Sequence, residues 1–224
     1  MDNAASHNLG LERFLTDDRP GMRKAAYRDN QTIFWQGDPA DALFVITRGN
    51  VKLVVVSPRG KEAVLAFLRP GDVFGEECLG GHRLRMAGAV AMIASSLIRI
   101  ESSLVKRLSR EFPGFLEVLT VRLVCRSLQT AQDLADQLLY PSDQRLARTL
   151  FLLARSQSAE GHGPAAPEIT QATLAGKVGT TRSRINYFMN KFKRLGLIEY
   201  KDGLRVNSSL LAALSGDGKR GLSA

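Results

Sequence analysis

From Ile169 to Ile198 the chain reads ITQATLAGKVGTTRSRINYFMNKFKRLGLI, holding Lys177, Arg182, Arg184, Lys191, Lys193 and Arg194 and no acidic side chain. Two short helical patterns flank Gly179, and the second carries most of the positive charge. A helix-turn-helix reconciles these features, with its second helix turned toward DNA. Thr170 has the hydroxyl needed to cap the first helix, and Leu174, Ala175 and Val178 fall on one apolar face. Gly179 stands where the chain must reverse, and a residue without Cβ turns there at least cost. Thr181 can cap the second helix, whose inward stripe is Ile185, Phe188, Met189 and Phe192.

That stripe leaves Arg182, Ser183, Arg184, Asn186 and Tyr187 facing outward, in the half of the helix that meets base edges in such an architecture. An arginine there can donate two parallel bonds to guanine O6 and N7, worth ~1–3 kcal/mol of discrimination. Thr170, Lys177, Thr181, Lys191, Lys193, Arg194 and Lys201 are candidate phosphate contacts, which set register and affinity without reading sequence. Leu197–Tyr200 and Leu204–Val206 flank Lys201-Asp202-Gly203, and an Asp-Gly turn between short apolar runs predicts a hairpin wing. A basic helix pair solvated on another domain would explain the charge. It would not explain the caps, the glycine turn and the hairpin together.

The net charge of +9 is unevenly shared. From Pro141 onward there are 13 basic and 6 acidic residues, a net of +7; Met1–Tyr140 holds the other 18 basic and 16 acidic, a net of +2. This is the asymmetry of a DNA-binding half joined to a nearly neutral one. No apolar run approaches the ~18 residues of a membrane span, and the N-terminus lacks a basic-then-apolar signal. With Cys78 and Cys125 alone, a disulfide framework is disfavoured, and a cytoplasmic protein with no membrane partner is expected.

Between Thr32 and about Glu101 the pattern changes to short strands separated by turn residues. Thr32–Trp35 precedes Gly37-Asp38-Pro39, Leu43–Thr47 precedes Arg48-Gly49-Asn50, and Val51–Val56 precedes Ser57-Pro58-Arg59-Gly60. Ala63–Leu68 then leads into Arg69-Pro70-Gly71-Asp72. Strands at near-regular spacing, punctuated by Gly and Pro, predict a β-barrel or roll. A long helix follows from Pro113 to about Leu139, ~40 Å at 1.5 Å per residue. Leu116, Leu123, Thr130 and Gln137 recur every seven, as do Val124, Ala131 and Leu138. Two apolar stripes need two partners, the roll and, most economically, a parallel copy of the same helix, with Leu116, Leu123, Thr130 and Leu134 as its candidate contacts. Tyr140-Pro141 breaks the helix, Ser142 can cap the next, and Ser156–Pro167 predicts a surface loop.

This order of parts resembles the catabolite activator protein superfamily of transcription regulators, also called CRP–FNR. The resemblance covers about Gln31 to Asn207 and rests on Gly37-Asp38, LFVITRGNVKL at 43–53, RPGDVFGE at 69–76 and TTRSRINYFMNKFKRLGLI at 180–198. It implies an α+β fold: an N-terminal cyclic-nucleotide-binding-type β-roll, a long dimerisation helix and a C-terminal winged helix-turn-helix. The expected divisions are a tail at 1–19, the roll at 20–112, the helix at 113–139, the DNA-binding domain at 140–208 and a tail at 209–224. It further implies a homodimer on palindromic double-stranded DNA, with RNA polymerase as a partner if the protein activates. A two-fold protein suits half-sites one helical turn apart.

In nucleotide-binding members of that superfamily a Glu bonds the ribose, an Arg followed by Ser or Thr clamps the cyclic phosphate, and Thr-Ser on the long helix meets the base. Gly75, Glu76, Arg85 and Thr130 fit, whereas Met86 and Ala131 replace hydroxyls, leaving the Ala87 amide as a further donor. A cyclic nucleotide, another small effector and none at all stay open, the last with Glu76 and Arg85 paired to each other. An iron–sulfur cluster needs more thiolates than Cys78 and Cys125 supply, His82 is a poor candidate for haem, and no metal site is expected. Glu76 and Glu77 beside Cys78 would raise its pKa. The recognition helix departs from the TGTGA-reading pattern, in which a Glu follows the first Arg and a second Arg lies four residues beyond that Glu. Ser183 and Tyr187 stand in those places, so a palindrome of different sequence is expected. Scattered His7, His82 and His162, with no phosphate-binding glycine loop, argue against an enzyme. A sensor module acting by protein contact, with no DNA binding, is the competing reading.

Overall fold

The computed structural model describes residues 11, 14–15, 19–158, 169–200, 204–207 and 209–210. The chain divides into two compact units, Met1–Ala131 and Gln132–Ala224. In the first, β1 (Met22–Tyr27), β2 (Thr32–Phe34), β3 (Ala42–Arg48), β4 (Val51–Val56), β5 (Glu62–Leu68), β6 (Val73–Phe74), β7 (Gly88–Ala91) and β8 (Ser95–Glu101) form two four-stranded sheets. Their orders are β1-β8-β3-β6 and β2-β7-β4-β5, with every pairing antiparallel. The predicted strands are all present within a residue or two.

Between the sheets Phe34, Phe44 and Phe74 pack together, with Phe44 and Phe74 stacked at 5.1 Å between ring centres. A second cluster joins Leu43, Val45, Val73 and Ile100 to Leu104, Val105 and Leu108 of α1 (Ser102–Glu111) and to Phe115 and Leu119 of α2 (Pro113–Leu139). Trp35, the one tryptophan, follows inward-facing Phe34 and is 66% exposed. Strand alternation sends the two rings to opposite faces.

β6, β7 and β8 lie in the stretch read as strands without ranges of their own, and two elements lie outside every stretch read as strand or helix. β1 is an edge strand of mixed polarity, MRKAAY, paired to β8 from Met22↔Ile100 to Tyr27↔Ser95. Helix α1 buries Leu104, Val105 and Leu108 on one face. In α2, Leu123 packs against the roll's core, whereas Leu116 and Leu134 are exposed. Thr130 turns its hydroxyl back onto the Arg126 carbonyl at 3.0 Å. The exposed apolar seam runs through Val121, Val124, Leu128, Ala131, Leu134 and Leu138 at three- and four-residue steps.

The second unit holds the last turns of α2, then α3 (Ser142–Ser158), α4 (Gln171–Val178), α5 (Arg182–Arg194) and a hairpin of β9 (Ile198–Tyr200) and β10 (Leu204–Val206). Leu146, Leu150, Leu174, Val178, Ile185 and Phe192 are among its core. Arg145 fastens it from within, donating to Val178 O at 2.9 Å and to Tyr140 O at 3.0 Å. Those carbonyls lie at the ends of α4 and α2, where helical partners run out. No helix among the described residues is long and apolar enough to cross a membrane.

Candidate nucleic-acid interface

Helix α4 begins at Thr170, whose hydroxyl accepts from Thr173 N at 3.1 Å, and ends at Gly179 with φ 72°. A Cβ on Gly179 would stand 3.3 Å from the Gln137 amide, so both backbone and space favour glycine. Thr181 caps α5, accepting from Arg184 N at 3.3 Å. Ile185, Phe188, Met189 and Phe192 are buried, and this fixes which residues face out. Arg182, Ser183, Arg184, Asn186 and Tyr187 are all exposed. Arg184 lies over the Phe188 ring at 5.9 Å, and Tyr187 meets the same ring edge-on at 5.6 Å. These contacts stiffen two long side chains beside the helix N-terminus.

Lys193 and Arg194 are exposed near the end of α5, and Lys191 is half-buried. Lys177 is different: its ammonium sits 2.5 Å from Asp133 and is mostly covered. Its charge is paired within the protein. Thr170 and Thr181 spend their hydroxyl oxygens as caps and keep their exposure. Lys201 lies outside the described residues. Gln171, with no sequence reading, donates from Nε2 to Asn186 Oδ1 at 3.2 Å, joining the two helices across their outer face.

Of the candidate effector residues, Gly75 and Arg85 stand together, and Glu76 turns to Arg126 of α2. Gly75 adopts φ 83°, and a Cβ there would meet Arg85 Nη1 at 2.7 Å and Ala42 O at 2.9 Å. Arg85 is 3% exposed. Its guanidinium donates to Ala42 O at 2.7 Å and Gly75 O at 3.0 Å, and it lies 4.4 Å above the Phe34 ring. Glu77 and Asp41 stand beside it at 3.4 and 3.6 Å. Glu76 instead accepts from Arg126 of α2, which also donates to Val73 O at 2.5 Å. The expected alternative pairing of Glu76 with Arg85 is therefore replaced by two pairs, Arg85 with Glu77 and Arg126 with Glu76. Met86 is 62% exposed, and its amide donates to Glu77 Oε1 at 3.4 Å. Ala87 is buried.

Burial pushes the Cys78 thiol up, with Glu77 and Asp41 adding to the shift and Arg85 opposing it. The direction agrees with the sequence reading, but dehydration rather than charge is the larger cause. Burial likewise raises the Asp72 carboxyl, against its hydrogen bond from Arg69 N and the nearby Arg69, Arg122 and Arg126. No cluster of three metal-ligating side chains occurs among the described residues.

Residues 24–112 match the cyclic nucleotide-binding domain family, and residues 144–214 match the Crp-like helix-turn-helix domain. The chain is 30% identical over 183 residues to the cyclic AMP receptor protein of Thermus thermophilus, covering 81% of this chain and 82% of that one. It is 26% identical over 200 residues to the fumarate and nitrate reduction regulatory protein of Salmonella typhi, covering 87% and 79%. Among solved structures, the c-di-GMP-responsive global regulator CLP of Xanthomonas campestris shares the fold, with a TM-score of 0.73 at 22% identity over 91% of this chain and 99% of that one. Two domain families in this order, together with relatives matched along most of their length, give the conclusion: this chain belongs to the CRP/FNR family of transcription regulators, with a helix-turn-helix DNA-binding domain.

Proposed function

We propose that the protein binds a palindromic DNA site as a homodimer, pairing two copies along α2 and reading bases with the first turns of α5. The observation that carries this reading is the outward row Arg182, Ser183, Arg184, Asn186 and Tyr187 at a capped helix start, on a helix with no acidic residue. Phosphate oxygens favour that end of a helix, and base edges accept from arginine and asparagine there. Lys191, Lys193 and Arg194 supply sequence-independent affinity. The exposed seam through Val124 and Leu128 has the spacing of a two-helix contact. RNA polymerase is a partner if the bound protein activates.

In the roll, Arg85 donates to two carbonyls and has two carboxylates nearby, while its buried Nε has no partner among the described residues, so a phosphate would compete with protein groups for the rest of the guanidinium. Replacing such contacts gains little, because each protein bond lost offsets a ligand bond made. DNA binding without a cyclic nucleotide is the reading these contacts support. Selection of bound sites from randomised duplex DNA, with and without cyclic AMP, tests it. The same palindrome in both tubes is expected. A palindrome only with nucleotide would overturn the effector-free reading, and no salt-dependent binding in either tube would favour the protein-contact module.

A further inference from the structure

Three amides meet on the outer face of the helix-turn-helix. Asn186 Oδ1 accepts from Gln171 Nε2 at 3.2 Å, across from α4, and from Asn190 Nδ2 at 3.3 Å, one turn along α5. A carbonyl oxygen has two lone pairs, and both are now engaged. The Asn186 Nδ2 group donates to no protein acceptor among the described residues, and the side chain is exposed beside Arg182 and Ser183. Turning the Asn186 amide over by itself would set its NH2 against two other NH2 groups, so its orientation is tied to those of Gln171 and Asn190.

This has a chemical consequence for base reading. An asparagine reads adenine by using both ends of its amide, accepting from N6 and donating to N7. Asn186 has lost the accepting end to its neighbours. What remains is a donor, which is complementary to bases presenting acceptors in the major groove: guanine, with N7 and O6, and less fully thymine, with O4. Adenine offers only N7 to a donor, beside an amino group, and cytosine only an amino group, and two donors facing each other are repulsive.

We infer that Asn186 is a donor-only base reader selecting a keto base, guanine first, and that Gln171 and Asn190 are positioning residues that impose this preference. The inference rests on the reading of α5 as the DNA-reading helix. Neither Gln171 nor Asn190 touches the base. They act by occupying the Asn186 oxygen.

The test is site selection from randomised duplexes by the full chain, for the wild type, Asn186→Ala and the double variant Gln171→Ala/Asn190→Ala. Synthetic duplexes changed at one base pair per half-site then give affinities. Comparing wild type with Asn186→Ala identifies the base pair that depends on Asn186. That pair should present guanine or thymine to the wild type, with a preference over adenine of roughly tenfold. The double variant frees the oxygen, so its preference at that pair should move toward adenine while all others stay. A third variant, Asn186→Asp, accepts only and should turn the same position toward an amino base, which keeps the test alive if the double variant melts early. Adenine or cytosine at the Asn186-dependent pair of the wild type, no pair depending on Asn186, or an unchanged preference when the oxygen is freed would each overturn the inference while leaving DNA reading intact. A wild type that enriches no sequence would overturn the DNA reading itself, and this inference with it.

Discussion

At the scale of single residues, exposure and partnership separate cations that the sequence cannot tell apart. Lys193 is exposed, and Lys177 is held by Asp133. Lys193→Ala should weaken binding to all DNA alike and reduce the salt slope by about one counterion's worth. Lys177→Ala should instead lower the melting temperature and leave that slope in place; titrating DNA affinity against salt for both variants checks the contrast. Arg182→Ala should cost ~1–3 kcal/mol on the preferred site and relax one base position, and unchanged selectivity would remove Arg182 from the readers. Asp72 gives a pH signature. Because burial raises its carboxyl pKa, the folded chain keeps that proton to higher pH than the unfolded chain, and its contribution to stability falls as pH rises from about 4 through the raised value. Asn at this position carries no such charge. The melting temperature of Asp72→Asn relative to wild type should therefore rise over that window, and a difference flat with pH would contradict the assignment.

At the scale of elements, what could be read locally was read. β4 and α2 start and stop where turn residues and a proline dictate, and the caps at Thr170 and Thr181 lie where their hydroxyls predict. β1 escaped because MRKAAY has no apolar alternation; it is held by its ladder to β8, far along the chain. Arg126 escaped for a related reason, since nothing near it in sequence shows that Glu76 and Val73 O will stand beside it. The heptad in α2 was visible, but its phase was not. Leu123 packs against the roll's core, whereas Leu134 lies on the exposed seam between Ala131 and Leu138. Leu128, 66% exposed, lies near the middle of that seam. Leu128→Asp should leave the fold intact, shift the protein to monomer in sedimentation, and lower affinity for a palindrome by roughly 10²-fold as two linked contacts become one. A dimer that survives the charge would move the interface elsewhere.

For the molecule as a whole, one chain supplies a roll that engages most of its buried arginine and a helix-turn-helix whose outer face joins two helices. The lone tryptophan gives these parts separate voices. Trp35 lies in the roll, next in sequence to the phenylalanine on which Arg85 rests, and the helix-turn-helix contains no tryptophan. Intrinsic emission excited at the indole band thus reports on the roll, whereas helical circular dichroism is weighted toward the helices. Coincident melting by the two signals would mean that roll and helix-turn-helix unfold as one cooperative body. Separated transitions would give each its own stability, measured on the intact protein with no label attached.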